Sequence, residues 1–587
     1  MKAISVVLLS LLFGSFFLVM AGAQQEQVPP ITIHWTVLAG DTKKLEIAEL
    51  MKKELTQIGV NVQIESLEKA SYFAHTYFSP GLTWDDGGMD ADYMGYSWML
   101  TDYVWYIGCY ASEGLPPVGW NYWAWTNGVA DNLLRAGMGS YNTTERLQHL
   151  NAWQEMHQED VGTIIVGYPL YAQMTRKEVK GYSGMYRAYD AGNWTVEGKT
   201  RADQVIVKYA SHPTTGFVTG LLPFYLGTGY IQQNTLYRSL YQVGLTPDGK
   251  YAAVPDMAES VEFSSDGMAA TFHLRRDIKW HDGVPFTSKD VKYTFDAILD
   301  PKTEAEYYGD FSAAVKSVEA PDDYTVVLHL AKKSPELTTL VMTSYSMIVP
   351  EHVLGKISND KLKTSEYNTK TPPPGTGPFK FKAWTRAESF EVEAFDGFYR
   401  GAPFLKGIVF ETVTEPMTAL SALRARDVDM MDIYFSTDIP DEVPKVEADP
   451  AFHVERIPYP RTLFIALNHK HPVLANPLVR QAIAYLVPYE QIRDVVYKGM
   501  LQLGNSPIHP ATWGWNPKAP SYTYDPAKAK ELMAKAAYSP WPPPEVVTPE
   551  AVIPASAYVI PVLGGLVVGL IVGFGAAAVV MRKRKAE

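Results

Sequence analysis

The chain contains a single cysteine, Cys109, among its 587 residues. No disulfide can form within one molecule, so the fold depends on its core rather than on cross-links. Common signatures of catalysis are also missing, namely the C-x-x-C pair, the G-x-x-x-x-G-K-(S/T) phosphate loop, the H-E-x-x-H zinc motif and the G-x-S-x-G nucleophile turn. The net charge is −12, which argues against nucleic acid as a partner. We therefore expect no catalytic residue, no cofactor and no metal site.

Both ends of the chain carry apolar segments. At the first end, an apolar run from Val6 to Met20 precedes the small-residue site Ala21-Gly22-Ala23, which predicts a signal peptide over residues 1–23. A first transmembrane helix is the alternative, although the run is short for one. At the other end, residues 558–581 carry no charge and lead into the basic tail 582–587. They predict a single membrane-spanning helix, with the body of the chain on the extracellular or periplasmic side and the C-terminus in the cytoplasm.

Between these ends, the hydrophobic pattern changes between the periods of strands and helices. Apolar residues alternate with polar ones from Ile31 to Val37 and again from Val60 to Ile64. Asp41 precedes a run with the helical period, and Gly59 ends it. This strand-helix-strand unit predicts an α/β fold. Further along, the proline-rich residues 539–557 predict a stiff spacer ahead of the membrane segment.

Four longer motifs carry a resemblance. The run Leu274–Val291 contains a His-Asp-Gly turn followed by a capped helix, and the others are Gly375–Phe379, Asn476–Tyr485 and Tyr524–Leu532. Together with residues 31–182, they resemble the family 5 extracellular solute-binding proteins, the oligopeptide- and dipeptide-binding receptors of ABC importers. The resemblance implies the periplasmic-binding-protein type II architecture, an α/β fold with two main lobes and an extra subdomain.

The motifs stand in a different order from that of the family. In the family, a helix like the one at Tyr524–Leu532 is followed directly by a strand like Ile31–Val37. Here the family's closing portion, residues 24–182, comes first, and its N-terminal portion follows over residues 203–538. The resemblance therefore predicts a circular permutation, with residues 183–202 connecting the former ends. A rearranged reading frame is the alternative.

The resemblance also indicates a ligand site within an aromatic stretch. In the family's peptide-binding members, an aspartate in a W-x-x-D-Y stretch pairs with the ligand's α-amino group. Asp102 is the matching acid here, but it stands one residue further from Trp98, and Val104 and Trp105 replace the usual acidic residue and proline. Asp102 therefore either contacts the ligand or is a helix-capping or solvent-exposed aspartate. The surrounding rings suit peptide side chains or sugar rings, unless they are core residues. The candidate ligand-binding residues are Asp102, Trp98, Tyr103, Trp105, Trp120 and Trp123.

The resemblance implies a receptor rather than an enzyme, and residues 558–581 predict that this receptor is anchored in the membrane. Its lobes would close over an oligopeptide and pass it to ABC permease subunits. An oligosaccharide is the alternative ligand. Two other classes stay open, a secreted glycoside hydrolase, which needs two carboxylates at a defined separation, and a surface adhesion protein.

Overall fold

The computed structural model describes residues 31–77, 79, 82–97, 103–116, 119–182, 191–213, 218–225, 230–246, 249–342 and 344–537. The predicted signal peptide, the spacer, the membrane segment 558–581 and the basic tail lie outside these ranges. The same holds for Trp98, for Asp102 and for residues 183–190 of the predicted connector. Within the described ranges, every helix is too short or too polar to cross a bilayer.

The strands of the described residues are β1 (Ile31–Leu38), β2 (Val60–Leu67), β3 (Ala91–Ser97), β4 (Ile164–Arg176), β5 (Val179–Lys180), β6 (Thr195–Val196), β7 (Ile206–Ser211), β8 (Tyr241–Leu245), β9 (Tyr251–Pro255), β10 (Ala258–Phe263), β11 (Ala269–Leu274), β12 (Val315–Asp322), β13 (Thr325–Leu330), β14 (Phe379–Thr385), β15 (Ser389–Ala394), β16 (Gly407–Thr412), β17 (Met430–Met431), β18 (Phe452–Pro458), β19 (Arg461–Leu467) and β20 (Leu501–Leu503).

The α-helices are α1 (Thr42–Leu55), α2 (Lys69–Thr76), α3 (Tyr103–Tyr110), α4 (Gly128–Gly139), α5 (Thr143–Asp160), α6 (Tyr230–Leu236), α7 (Ser288–Leu299), α8 (Tyr308–Ala314), α9 (Leu337–Leu340), α10 (Glu351–Leu354), α11 (Glu366–Thr369), α12 (Pro416–Ala425), α13 (Phe435–Asp438), α14 (Val443–Glu447), α15 (Pro477–Ala484), α16 (Tyr489–Gln491) and α17 (Pro526–Ala537).

Most strands belong to one large mixed sheet. Its order is β14-β15-β16-β7-β17-β4-β19-β3-β1-β2, and β18 and β20 also pair with β4. A four-stranded antiparallel sheet, β10-β11-β13-β12, stands apart from it. Strand β1 runs parallel to β2 and β3, with helices α1 and α2 in the crossovers. The predicted α/β fold is therefore confirmed.

Strand β4 belongs to both halves of the large sheet. Its first residues, Ile164 to Gly167, pair with β19, whereas Leu170 to Arg176 pair with β18. We call β1, β2, β3, β19, β20 and the start of β4 half A. Half B consists of β7, β14 to β18 and the end of β4. The first 150 residues or so of the described chain thus share one sheet with the strands that follow them.

The local signals at α1 and α7 form as predicted. The carboxylate of Asp41 accepts a hydrogen bond from Lys44 N at 3.0 Å and caps α1. Beyond the end of that helix, Gly59 adopts φ 76°, a left-handed conformation that glycine takes at little cost. Thr287 and Asp290 form a reciprocal capping box at the start of α7.

Two of the motifs that carry the resemblance contact each other through His281. Gly375 N donates to His281 Nδ1 at 3.1 Å, so the ring proton lies on Nε2, which donates to Gly377 O at 3.0 Å. Burial lowers the pKa of His281 to about 4, so the ring stays neutral at physiological pH. The histidine of this turn therefore joins two segments of the fold.

Half A is covered on one side by an aromatic core. Tyr110, Trp125 and Trp153 are fully buried there, and His157 lies among their rings, with centroid distances of 5.1 to 5.7 Å. His157 Nε2 lies 3.2 Å from the hydroxyl of Thr163. An imidazolium in this position would lose most of its hydration, which favours the neutral ring.

We expect the free energy of unfolding to fall as the pH is lowered from about 6.5 towards 4. Burial lowers the pKa of His157 and of His509 to about 3, well below the value of about 6.5 in an unfolded chain. Between these values the unfolded state binds protons that the folded state excludes, so acid favours unfolding. At pH 4.5, each of these two rings lowers the free energy of unfolding by an amount on the order of 2–3 kcal/mol, compared with neutral pH. Urea unfolding at pH 7.5 and 4.5 measures the effect.

Two variants test how much His157 contributes to the pH dependence of the free energy of unfolding. His157→Gln should reduce the difference in unfolding free energy between the two pH values. The control His329→Gln removes a half-exposed ring and should leave that difference unchanged. Equal pH dependence of the wild type and of His157→Gln would contradict the prediction.

Candidate binding site

Two stretches of chain connect half A with half B, and they lie side by side. One is the middle of β4, from Gly167 to Leu170, and the other is Pro458–Arg461, between β18 and β19. Tyr459 N donates to Pro169 O at 3.2 Å, so the two connections are hydrogen-bonded to each other. Because proline has no backbone N–H, Pro169 and Pro460 reduce the ladder bonds that the sheet can form here. We call these two stretches the junction.

Tyrosine side chains from several elements gather at the junction. The rings of Tyr171 and Tyr459 stack with centroids 4.3 Å apart, and the hydroxyl oxygens of Tyr434 and Tyr459 lie 2.7 Å apart. On the side of half A, the hydroxyl oxygens of Tyr93 and Tyr497 are 3.0 Å apart. The cluster thus combines apolar ring faces with hydroxyls that donate and accept hydrogen bonds. We call these five residues the junction tyrosines.

Arg461 is the charged residue at the centre of this cluster. It begins β19 and pairs with Ser97, the last described residue before Trp98. Its titratable neighbours include Tyr77, Tyr93, Tyr171, Tyr459 and Tyr497. Its Nε is buried and has no hydrogen-bond partner in the described part of the chain. The junction therefore holds a cation among neutral aromatic side chains.

Gly95 makes room for this guanidinium. A Cβ atom at this position would lie 2.7 Å from Arg461 Nε and 2.5 Å from Leu463 Cδ2. Both distances are shorter than normal van der Waals contacts, so a side chain on β3 at this point would displace Arg461. Because Gly95 has no side chain, the guanidinium of Arg461 can occupy this position beside β3.

The first turn of α1 brings two lysines to the same region. Lys44 Nζ lies 3.2 Å from Asp92 Oδ1, and the hydroxyl of Tyr72 donates to the same carboxylate. Burial raises the pKa of Asp92, and the ion pair with Lys44 opposes that rise. Lys43 instead donates to Thr437 O on α13 at 3.2 Å and lies 5.6 Å from the ring centre of Tyr497. Lys43 thus connects α1 directly with α13.

The structure places the predicted ligand-binding residues in different settings. Trp98 and Asp102 lie outside the described residues. Tyr103 and Trp105 belong to α3. Trp120 is partly buried, and its carbonyl accepts a hydrogen bond from the Tyr96 hydroxyl at 2.7 Å.

Trp123, the sixth candidate, lies inside the aromatic core of half A. Its ring is fully buried and packs against Tyr110 and Phe464, with centroids 5.3 and 5.2 Å away. The core alternative for aromatic residues of this stretch thus describes the surroundings of Trp123. A ligand contact by any of the six residues stays a prediction.

Sequence reasoning missed Arg461 and the junction tyrosines. One signal was present, because Pro458-Tyr459-Pro460-Arg461 stands directly before an apolar strand. Prolines on both sides of a tyrosine, followed by a charge that enters a strand, indicate a break in sheet pairing. The partners Tyr93 and Tyr171 come from distant positions, and no local pattern connects them with Arg461.

A separate cavity of about 490 Å³ lies on half A, between the end of α1 and α16. Glu54 lines it, but its carboxylate already accepts hydrogen bonds from Gln57 and from the Tyr524 hydroxyl. Within the described ranges, no group of three His, Cys, Asp or Glu side chains is placed to hold a metal ion. At the junction, no carboxylate of the described residues forms an ion pair with Arg461.

Comparisons with known proteins assign a family to much of the chain. Residues 252–548 match the model of bacterial extracellular solute-binding proteins, family 5, middle region. A protein of Brucella ovis is 33% identical over 287 residues, which are 49% of this chain and 52% of that protein. The oligopeptide-binding protein AppA of Bacillus subtilis is 28% identical over 334 residues, which are 53% of this chain and 59% of AppA. The chain thus spans between half and two thirds of the length of these relatives.

One solved structure is that of AppA from Bacillus subtilis in complex with a nonapeptide. Its TM-score with this chain is 0.42 at 23% identity, and the match covers 57% of this chain and 64% of that one.

Proposed function

Because the chain belongs to the family 5 bacterial extracellular solute-binding proteins, we propose that it is the substrate-binding component of an ABC importer. It captures an oligopeptide outside the cell and presents it to permease subunits. ATP hydrolysis and translocation belong to those other chains, and this chain carries out no catalysis. The relative AppA, named as an oligopeptide-binding protein, supports the choice of peptides over sugars.

The observation that carries this proposal is the junction. Halves A and B are the two lobes, and two hydrogen-bonded connections joined at Pro169 and Tyr459 allow one lobe to rotate against the other. The junction tyrosines offer ring faces for apolar side chains and hydroxyls for the peptide backbone. The assignment of Trp98 and Asp102 as ligand contacts comes from the family resemblance of their stretch of sequence.

The order of the chain fits a circular permutation. Helix α17 at the end of the described chain packs beside the first strand-helix-strand unit, where Gln57 Nε2 donates to the Tyr524 hydroxyl at 3.2 Å. The helix that precedes a strand like β1 in the family is thus a neighbour of that unit in this fold. Such a rearrangement is tolerated when the broken connection lies at the surface.

We also propose that the receptor is exported and held at the membrane. The predicted signal peptide, residues 1–23, directs export, and residues 558–581 anchor the chain with its body outside the cell. The proline-rich residues 539–557 keep the binding lobes at a distance from the bilayer.

Native mass spectrometry of the purified full chain in detergent tests the receptor function. After addition of mixed peptides and oligosaccharides, we expect adducts with a spread of peptide masses. Adducts separated by one hexose would move the ligand to sugars, and shortened products would indicate a hydrolase. A chain that retains neither class of ligand would contradict the proposal.

Asp102 is expected to bind the α-amino group of the peptide. Asp102→Asn should weaken the binding of peptides with a free amino terminus by about 2 kcal/mol, since a buried ammonium loses its charged partner. N-acetylated peptides should bind equally to the wild type and the variant in isothermal titration calorimetry. The control Asp441→Asn removes an exposed carboxylate. An equal effect of Asp102→Asn on free and acetylated peptides would refute this role.

A further inference from the structure

Tyr141, between α4 and α5, contacts a part of the molecule that belongs to the opposite lobe. Helices α4 and α5 cover half A, where they share the aromatic core with β4 and β19. The four-stranded sheet β10-β11-β13-β12 shares its hydrophobic core with Tyr171 and Ile457 of half B. Half B and the four-stranded sheet therefore form one packed unit. A contact between that sheet and Tyr141 crosses from one lobe to the other.

The hydroxyl of Tyr141 is bound by two backbone groups at the edge of the four-stranded sheet. It donates a hydrogen bond to Gly267 O at 2.9 Å, in the turn between β10 and β11. It accepts a hydrogen bond from Ser334 N at 3.1 Å, in the segment that follows β13. The ring of Tyr141 packs on Phe263 of β10, with centroids 4.5 Å apart. One side chain beside half A thus satisfies a donor and an acceptor of the other lobe.

Gly267 makes room for the ring of Tyr141. Its φ of 71° is a left-handed conformation that glycine takes at little cost. A Cβ atom at this position would lie 2.6 Å from Tyr141 Cε2, which is far shorter than a normal van der Waals contact. A side chain here would therefore push the ring of Tyr141 away from the sheet.

A second contact between the same two lobes lies at the loop 504–516. Gln154 of α5 fixes this loop to half A, because its Nε2 donates to Gly514 O at 2.7 Å. Tyr251, which belongs to the core of the four-stranded sheet, donates from its backbone N to Ala511 O at 2.7 Å. The lobes thus also meet at places that contain no residue of the junction.

We propose that Tyr141 is a latch that holds the two lobes in their closed arrangement. This inference rests on the proposed function, because it requires the lobes to rotate about the junction. An opening rotation separates α5 from the four-stranded sheet, so that Tyr141, Gly267 O and Ser334 N exchange their mutual hydrogen bonds for bonds to water. The latch stabilises the closed lobes through contacts of the protein itself, and it therefore slows the release of a bound peptide.

Distances between spin labels on the full chain, measured by double electron–electron resonance, test the latch. Ala136→Cys on α4 and Ser317→Cys on β12 place one label on each lobe, and both positions are exposed. The native Cys109 is fully buried, which protects it from labelling. Without added peptide, Tyr141→Phe should shift the ratio of closed to open molecules about tenfold towards open, because it removes two hydrogen bonds and keeps the ring.

Two controls separate the latch from a general loss of structure. Tyr324→Phe changes a tyrosine that packs against Arg276 of its own lobe, 4.6 Å from the ring centre, and should leave the ratio unchanged. Gly267→Ala should open the lobes, because it displaces the ring of Tyr141. Gly198→Ala introduces the same methyl group at a similar φ of 75°, but into open space, and should leave the lobes closed.

The rate of peptide release provides a second measurement. Tyr141→Phe should release a bound peptide about tenfold faster than the wild type in stopped-flow experiments. Equal distance distributions for the wild type and Tyr141→Phe, or an unchanged rate of release, would overturn the latch. A wild type that binds no peptide overturns the proposed function, and the distance distributions then decide on the latch alone.

Discussion

Replacing Arg480 by methionine should lower the free energy of unfolding by about 3–5 kcal/mol. The side chain of Arg480 is almost fully buried and donates from all three guanidinium nitrogens. Its acceptors are Asp160 O and Oδ1, Val161 O, Leu474 O and Ala475 O, at distances of 2.6 to 3.2 Å. Methionine fills a similar volume but leaves these oxygens without donors in a place that water barely reaches.

The position of Arg480 makes this prediction informative about the order of the chain. Arg480 stands on α15 in the predicted N-terminal portion of the family, and Asp160 ends α5 in the portion that comes first here. The interaction therefore connects the two segments of the predicted permutation. If they form one cooperative unit, the loss appears in a single unfolding transition.

Urea unfolding followed by circular dichroism measures the loss, and Arg493→Met is the matched control. Arg493 is partly exposed and pairs only with its neighbour Asp494 among the described residues, so its removal should change stability by less than about 0.5 kcal/mol. Arg480→Lys should fall between the two, because an ammonium cannot reach all the acceptors. A loss below 1 kcal/mol for Arg480→Met would be inconsistent with the network.

Asp256→Asn is expected to destabilise the protein by a similar amount, about 3–5 kcal/mol. The carboxylate of Asp256 is fully buried and accepts a hydrogen bond from Arg238 Nε at 2.7 Å, and it forms an ion pair with Arg400, whose Nη2 lies 2.8 Å away. The Tyr399 hydroxyl donates to it as well. An amide has the same shape but no charge, so the buried guanidinium of Arg238 would lose its counter-ion.

The effect of Asp256→Asn should be measured by chemical unfolding beside Asp277→Asn. Asp277 forms a bidentate pair with Arg275 at the surface, and surface pairs contribute about 0–1 kcal/mol. The two variants remove the same group from pairs that differ mainly in burial. Equal and small effects would show that the buried network around Asp256 is compensated elsewhere.

Local structure was well predicted from the sequence because its causes are local. The predicted strand from Ile31 to Val37 is β1, the predicted cap Asp41 bonds the first turn of α1, and the box Thr287–Asp290 opens α7. Alternation, a capping oxygen and a backbone donor a few residues away are all visible within a short window. The family resemblance, which the comparisons with known proteins confirm, also predicted the α/β fold.

The binding site depended on contacts that no short window contains. Arg461 meets Ser97 and Tyr171 only because β19 pairs with β3 and lies beside β4, and such register depends on the whole sheet. Trp123 shows a second limit of prediction from sequence. An aromatic residue gives the same sequence pattern whether it lines a cleft or fills a core. Trp123 is fully buried because it belongs to a core that includes residues of helices α3 and α5. The residues next to Trp123 in the sequence do not reveal this packing.

The route of β4 through both halves also sets the mechanics of any opening. The two connections of the junction are joined by the hydrogen bond from Tyr459 N to Pro169 O. They resist stretching along the strands more than they resist bending and twisting. In the proposed receptor, the two halves would therefore rotate about a line through residues 167–170 and 458–461. Small angular changes at that line become large displacements at the far rim, whereas Arg461, close to the axis, hardly moves. In the proposed receptor, a ligand group bound at the junction would keep its position during such a rotation.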